Sequence, residues 1–316
     1  MNSFRTTIKI KRQKPAIDYN SKIMLLGSCF TEHINEKLTY FKFDTLTNPF
    51  GIVFNSNAIK TAIKECVNSK VYTETDLKKH DGLWFSFKHH SQFSSPDITK
   101  TLADINTSIN TANSFIKKAS HIIITLGTAW VYVNNETGKI VANCHKVPQK
   151  QFTKSLQSIT QISDDLKAIF KIIKSVNKKA TIIFTVSPVR HLRNGFEENM
   201  LSKAYLLVAV QEQVAKNKDC FYIPAYEIMM DDLRDYRFYE ADMVHPNKTA
   251  INYIWQYFKN SWISDKVFKI MNNIESIQKD LQHRPFNQNS SAYKLFKQNL
   301  DKKIAKFSKE NPAISF

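Results

Sequence analysis

Two short segments at opposite ends of the chain carry residue types that together perform nucleophilic acyl chemistry. Near the start, the apolar run Ile23–Leu26 closes in Gly27-Ser28-Cys29-Phe30, followed by Thr31-Glu32-His33-Ile34. A serine at a strand-to-helix turn sits at a helix N-terminus, where free backbone N–H groups point toward anions. That setting favours an attacking alkoxide and the oxyanion of a tetrahedral intermediate. The ordinary alternative is an N-cap serine. Near the far end comes Asp242-Met243-Val244-His245-Pro246-Asn247. Pro246 suits the first turn of a helix over 247–260, which leaves Asp242 and His245 in the loop before it. Three residues apart in such a turn, the carboxylate can accept from the His Nδ1–H and fix the tautomer whose Nε2 takes a proton. The plain alternative is a solvent loop with an Asp N-cap. Together the segments give the chain order Ser…Asp…His of a possible triad.

Other residues could join them. Gly51, after the Asn48-Pro49-Phe50 turn, and Gly127-Thr128, after Ile122–Leu126, could offer backbone N–H groups to an oxyanion, or serve only as turns. Asn143-Cys144-His145-Lys146 reads as pocket lining for substrate or as a strand end. Arg190 and His191 follow another apolar run; Arg190 suits a substrate carboxylate or phosphate, or a salt bridge at the sheet edge. Cys29 at the same helix N-terminus is a conceivable thiolate. Neighbouring helical residues diverge by about 100°, so only one can face His245, and Ser28 is preferred. His80, His89 and His90 have no carboxylate or Cys at ligand spacing, so they are expected to be structural, with no metal and no other cofactor.

These residues fall just beyond apolar runs. Segments 22–27, 41–46, 120–126, 180–186 and 219–223 read as strands; the first, third and fourth are continuously apolar, as strands buried on both faces must be. Helical periodicity fills 31–40, 55–68, 98–118, 152–177, 197–217 and 246–260. The alternation predicts an α/β fold with a doubly wound parallel sheet, whose function lies past the carboxyl ends of the strands. Residues 130–133 and 139–142 flank Asn134-Asn135-Glu136-Thr137-Gly138 and read as a hairpin added to the sheet or capping its rim. Segment 71–97 reads as an excursion. After residue 262 the strands stop. Two helices follow, 263–282 and 289–308, separated by His283-Arg284-Pro285-Phe286. Val267, Ile270, Ile274, Ile277 and Leu281 recur at helical spacing and are expected to pack on the body. The predicted division is an α/β domain over 1–262 and a C-terminal helical extension over 263–316.

Composition bounds the class. The 316 residues are 42% hydrophobic, enough for a sizeable core, which excludes a disordered tail protein and a disulfide-stapled miniprotein. No apolar run approaches the roughly 20 residues of a membrane span. The first residues lack an apolar signal core and the four cysteines lack CxxC spacing, so free thiols and a cytoplasmic location are expected. There are 45 Lys+Arg against 28 Asp+Glu, a net charge of +17. The lysines are spread through most helical stretches, without zinc-finger spacing, an aromatic RNA-binding signature or a basic heptad region. A solvated basic surface is the better reading, with no specific nucleic-acid partner; an anionic substrate would be favoured by such a field.

The order Gly27-Ser28-Cys29-Phe30, Asn48-Pro49-Phe50-Gly51, Leu126-Gly127-Thr128-Ala129-Trp130, Asn143-Cys144-His145-Lys146, Ser187-Pro188-Val189-Arg190-His191 and Asp242-Met243-Val244-His245-Pro246 resembles the GSCFA family, which belongs with the SGNH (GDSL-like) hydrolases. The resemblance implies a flavodoxin-like three-layer α/β/α sandwich with a C-terminal helical extension. It implies Ser28 as nucleophile, His245 as general base and then acid, and Asp242 as its orienter, with the Ser28 and Gly51 amides in the oxyanion hole. SGNH enzymes usually carry Gly-Asp-Ser at the nucleophile and a third-block Gly-x-Asn-Asp whose Asn donates to the oxyanion. Gly127-Thr128-Ala129-Trp130 has no such Asn, so Thr128, Asn143 or His145 substitutes or the hole is weaker. The expected activity is that of a serine esterase on a small-molecule or carbohydrate ester, such as an O-acetyl group. An O-acyltransferase and a non-catalytic SGNH-like binding protein are the alternatives.

Overall fold

The computed structural model describes residues 6–316, the side chain of Asn194 excepted. Five parallel strands form the main sheet: β1 (Lys22–Gly27), β2 (Asp44–Thr47), β5 (His121–Leu126), β9 (Thr181–Val186) and β10 (Cys220–Ile223), in the order β10-β9-β5-β1-β2. Counted along the chain this is the 2-1-3-4-5 order of flavodoxin-like sheets, with the topological switch between β1 and β5. Every residue of β5 and β9 is buried, which explains their unbroken apolar character.

Alternation along β1 divides the interior. Ile23 and Leu25 pack with α1 (Cys29–Tyr40) and α7 (Lys248–Trp262) on one face. Met24 and Leu26 pack with α2 (Ser56–Val67), α3 (Ile98–Ile116), α4 (Ile159–Val176) and α5 (Phe196–Lys216) on the other. Helices sandwich the sheet in three layers. Beyond α7, α8 (Phe268–Leu281) and α9 (Ser291–Glu310) extend the first of these cores. Val267, Ile274 and Ile277 are buried there, while Leu281 is exposed.

Three expectations change. Residues 152–156, assigned by periodicity to the start of a helix, form strand β8 (Phe152–Leu156). Their burial alternates, and the Ser158–Gln161 capping box starts α4 only at Ile159. β8 pairs antiparallel with β6 (Trp130–Asn134), which pairs with β7 (Ile140–Val141). The hairpin therefore builds its own three-stranded sheet instead of joining the main one. Segment 71–97 contains a small hairpin of β3 (Lys78–His80) and β4 (Leu83–Phe85). The strand expected over 41–46 starts at Asp44, because Lys42 turns the chain through a left-handed φ of 64°. A short helix α6 (Ala225–Glu227) follows β10. All four cysteines are free thiols, and no helix among the described residues is long and apolar enough to cross a membrane.

Gly27 shows why the β1 exit needs a glycine. Its φ is +139°, and a Cβ there would lie 2.2 Å from the Thr125 carbonyl oxygen of the paired strand. Gly27→Ala is expected to destabilise the protein by about 3 kcal/mol through backbone strain and overpacking, read as a shift in the urea midpoint.

Candidate active site

The switch point places the end of β1 beside the end of β5, and Ser28 stands there as the N-cap of α1. Its Oγ does not cap the helix. It is buried and has no hydrogen-bond partner among the described residues. Asn48 steadies this corner: its Oδ1 accepts from the Gly27 amide at 2.9 Å and its Nδ2 donates to Glu32 Oε1 at 3.4 Å. Cys29 shares the first turn of α1. Burial pushes its thiol up, outweighing the nearby Phe30 and Cys29 amides, which does not favour a thiolate.

The loop before α7 folds around Asp242. Oδ1 accepts from the backbone amides of Val244 and His245, each at 2.9 Å, and Oδ2 accepts from His245 Nδ1 at 2.6 Å. These bonds, the His245 amide foremost, hold the Asp242 carboxyl down to about 2. The pair therefore fixes the imidazole so that Nε2 is the free nitrogen. Pro246 precedes the N-cap Asn247 and so stands just outside the helix, not in its first turn. With Ser28 Oγ unbonded, the Ser28–His245 hydrogen bond is not made in this structure.

Three of the expected amide donors, those of Ser28, Gly51 and Gly127, have internal acceptors. The Gly51 amide closes its own turn on Asn48 O at 2.7 Å, and the Gly127 amide donates to Phe54 O at 2.7 Å. Thr128 Oγ1 pairs with Ser202 Oγ at 2.9 Å and accepts from the Trp130 amide. The Ser28 amide has the longest of these backbone bonds, 3.2 Å to Thr125 O. A tight turn and a bond between distant segments consume the Gly51 and Gly127 amides that sequence spacing leaves open.

Arg190 and His191 lie on the same edge. The Arg190 amide donates to Val244 O, joining the segment after β9 to the His245 loop. Its guanidinium sits 4.3 Å from the Tyr239 ring centroid and 5.2 Å from that of Tyr236, with Nη1 buried and unpartnered. Aromatic faces take the place of the alternative salt bridge. His191 packs on Phe54 with Nε2 buried and unpartnered; burial, then the Lys203 and His245 charges, push it down to about 3.

Asn143 and His145 lie further out. His145 and Lys146 hold left-handed φ values of 49° and 59°, and Asn143 Oδ1 accepts from the His145 amide. His145 Nε2 lies 3.0 Å from both the Ser86 and His89 carbonyls, so it carries the proton. Nδ1 then accepts from Ser94 Oγ. Both ring nitrogens are thus engaged within the protein, and His145 pins a loop with left-handed backbone. That loop borders a cleft of about 390 Å³ lined by Phe54, Tyr132, Asn143, Lys146 and Arg193. Phe54 also supports His191, so the cleft adjoins the edge that holds His245. His89 is buried against Phe50, and neither ring nitrogen is bonded among the described residues. Among the described residues, no three His, Cys, Asp or Glu side chains converge to hold a metal.

Sequence spacing missed Lys203, although its position offered a signal: on α5 it shares the buried stripe of Leu206 and Val210, where a lysine is out of place. It is 1% exposed, and its Nζ donates to the carbonyls of Gly127 at 2.7 Å and Ser187 at 2.8 Å.

A model of the GSCFA family matches residues 22–258, and one for the GSCFA domain protein, C-terminal domain, matches 274–316. No curated protein matches the chain. Among solved structures it is similar to the Clostridium thermocellum family 3 carbohydrate esterase, at 12% identity and a TM-score of 0.34, covering 80% of this chain and 97% of that one. It is similar to the acetyl xylan esterase Est2A from the rumen bacterium Butyrivibrio proteoclasticus, at 10% identity and a TM-score of 0.40, covering 77% and 65%. A family 3 carbohydrate esterase from Talaromyces cellulolyticus aligns at 10% identity and a TM-score of 0.35, covering 80% and 99%. The first family match runs from β1 into α7, across the whole main sheet, and the second takes up the helices beyond: the chain belongs to the GSCFA family.

Proposed function

We propose that the protein is a serine esterase in which Ser28 is the nucleophile, His245 the general base and then acid, and Asp242 the residue that orients the imidazole. The observation that carries this reading is the Ser28 hydroxyl: at a helix N-terminus on the topological switch point, it neither caps its helix nor bonds to anything else. The Asp242–His245 contact of 2.6 Å supports it, since it leaves Nε2 as the proton acceptor. Ser28 Oγ attacks the ester carbonyl carbon while His245 Nε2 takes the hydroxyl proton. The tetrahedral intermediate collapses to an acyl-enzyme, and the alcohol leaves with the proton from His245. Water then attacks the acyl carbon, gives a proton to His245, and releases the carboxylic acid as Ser28 regains its proton. The Ser28–His245 bond forms when substrate binds, as catalytic hydrogen bonds often tighten only in the complex.

The favoured substrate is a small polar ester, with O-acetylated carbohydrate as the leading class. The cleft beside His191 supports it, because Phe54 and Tyr132 offer apolar faces while Asn143, Lys146 and Arg193 offer polar groups. An alcohol that enters in place of water would make the same site an O-acyltransferase. Free thiols throughout favour a reducing compartment such as the cytoplasm. The engaged Gly51 and Gly127 amides favour a second reading, a non-catalytic binding protein. Labelling with a fluorophosphonate probe, followed by peptide mapping, separates them. A single adduct on Ser28 is expected. No adduct on folded protein, or one on Cys29, sinks the serine mechanism.

A further inference from the structure

Lys203 is the least expected charge in the molecule. A buried ammonium is strongly disfavoured unless it is paired, yet Lys203 has no carboxylate partner among the described residues. Its two bonds go to the carbonyls that end β5 and β9, the strands whose following segments carry Gly127-Thr128 and Arg190-His191. Its third side faces the Tyr226 ring, 5.5 Å away. The ionisable groups around Nζ are Cys29 of α1, His191 after β9 and Tyr226 of α6, all without negative charge at neutral pH. The Ser28 amide donates to Thr125 O, two residues before Gly127 on β5. Two residues at about 3.3 Å each, with the bonds at either end, bring Nζ within about 13 Å of the Ser28 amide.

We propose that Lys203 is a positioning residue of the Ser28 site, its buried cation setting a positive potential at the first turn of α1 that favours negative charge developing there. It acts through the strand ends it holds and through its field, without touching substrate. The role rests on the serine-esterase reading and fills a gap in it: the third block has no Asn to donate to the oxyanion, and the Gly51 and Gly127 amides are engaged. A fixed charge in a water-poor interior stabilises a transition state without reorganisation. At about 13 Å and an effective dielectric near 20, one unit charge changes a rate by about tenfold. Burial also pushes the lysine down to about 7, so its charge is adjustable near neutral pH.

The test compares wild type with Lys203→Gln, Lys203→Met and Lys203→Arg by two readouts. One is the second-order rate of fluorophosphonate labelling at Ser28. The other is the pH midpoint of Cys29 alkylation by iodoacetamide, resolved by peptide mapping. Both neutral variants are expected to slow Ser28 labelling by about tenfold and to raise the Cys29 midpoint by about one pH unit, with Lys203→Arg restoring both. Loss of thermal stability alone, with both readouts at wild-type values, reduces Lys203 to a structural pin and overturns the proposal. Absence of Ser28 labelling in wild type refutes the esterase reading instead, and the Cys29 midpoint still decides whether the charge reaches α1. Should the neutral variants not fold, the Lys203 ¹³Cε resonance is titrated in wild type. A second step in the Cys29 profile at the Lys203 midpoint supports the coupling; a profile without it refutes it.

Discussion

Ser28→Ala is expected to lower ester hydrolysis by about 10³-fold or more while leaving the fold as stable as before, or about 1 kcal/mol more stable. The first half follows from the proposed chemistry: without Oγ no acyl-enzyme forms, and only substrate binding and polarisation by nearby dipoles remain. The second half follows from the geometry. Ser28 is 2% exposed and its Oγ has no partner, so the wild type bears the penalty of a buried, unsatisfied hydroxyl that alanine removes. A serine serving only as an N-cap would behave in the opposite way, because losing the cap destabilises a helix by about 1 kcal/mol. Thermal melts beside a screen of acetyl esters distinguish the cases. A variant that melts several degrees lower with its hydrolysis unchanged would refute the assignment.

Stability should fall steeply on mild acidification. Burial pushes His89 and His191 down to about 3 and His145 to about 4; His121 shifts in the same direction for the same reason. As the pH drops through 6.5, these imidazoles take up protons in the unfolded chain but stay neutral in the folded one. The unfolded state then binds more protons, so stability falls with pH until the folded values are passed. Three such groups give a slope of at most about 4 kcal/mol per pH unit between pH 6 and 4. Glu227 opposes this slightly, since burial raises its carboxyl and folding gains from its protonation. Against a typical total of about 5–15 kcal/mol, unfolding near pH 5 is expected. Lys203 adds a limb of the same sign at higher pH: with its folded value near 7 and its unfolded value near 10.5, stability rises from pH 7 to 9. Urea midpoints measured from pH 4.5 to 9 test both limbs. A flat profile below pH 6.5 would mean that the buried histidines are hydrated.

Features that depend on neighbours along the chain were legible from residue order. Continuous apolar runs became β1, β5 and β9, because a parallel strand covered on both faces has no exposed side to mark with polar residues. Asp242 and His245 met as their spacing predicts, because a three-residue separation in a turn confines both side chains to a few ångströms. The family was legible because its motifs are short, local and ordered along the chain. The same local patterns misread 152–156 as helix, since β8 exists only through its pairing with β6, about twenty residues upstream.

Tertiary structure alone decided whether an amide was free. Gly51 and Gly127 look alike as glycines after strands, but Asn48 O and Phe54 O had already taken their protons. It alone engaged His145, by offering two carbonyls from the 86–89 segment to one ring nitrogen. And it alone gave Lys203 its partners, because the carbonyls of Gly127 and Ser187, far away in sequence, meet only when β5 and β9 lie side by side. Hydrogen bonds between distant segments leave no period in the sequence, so the donors and acceptors that complete a site become visible only once the sheet has brought their strands together.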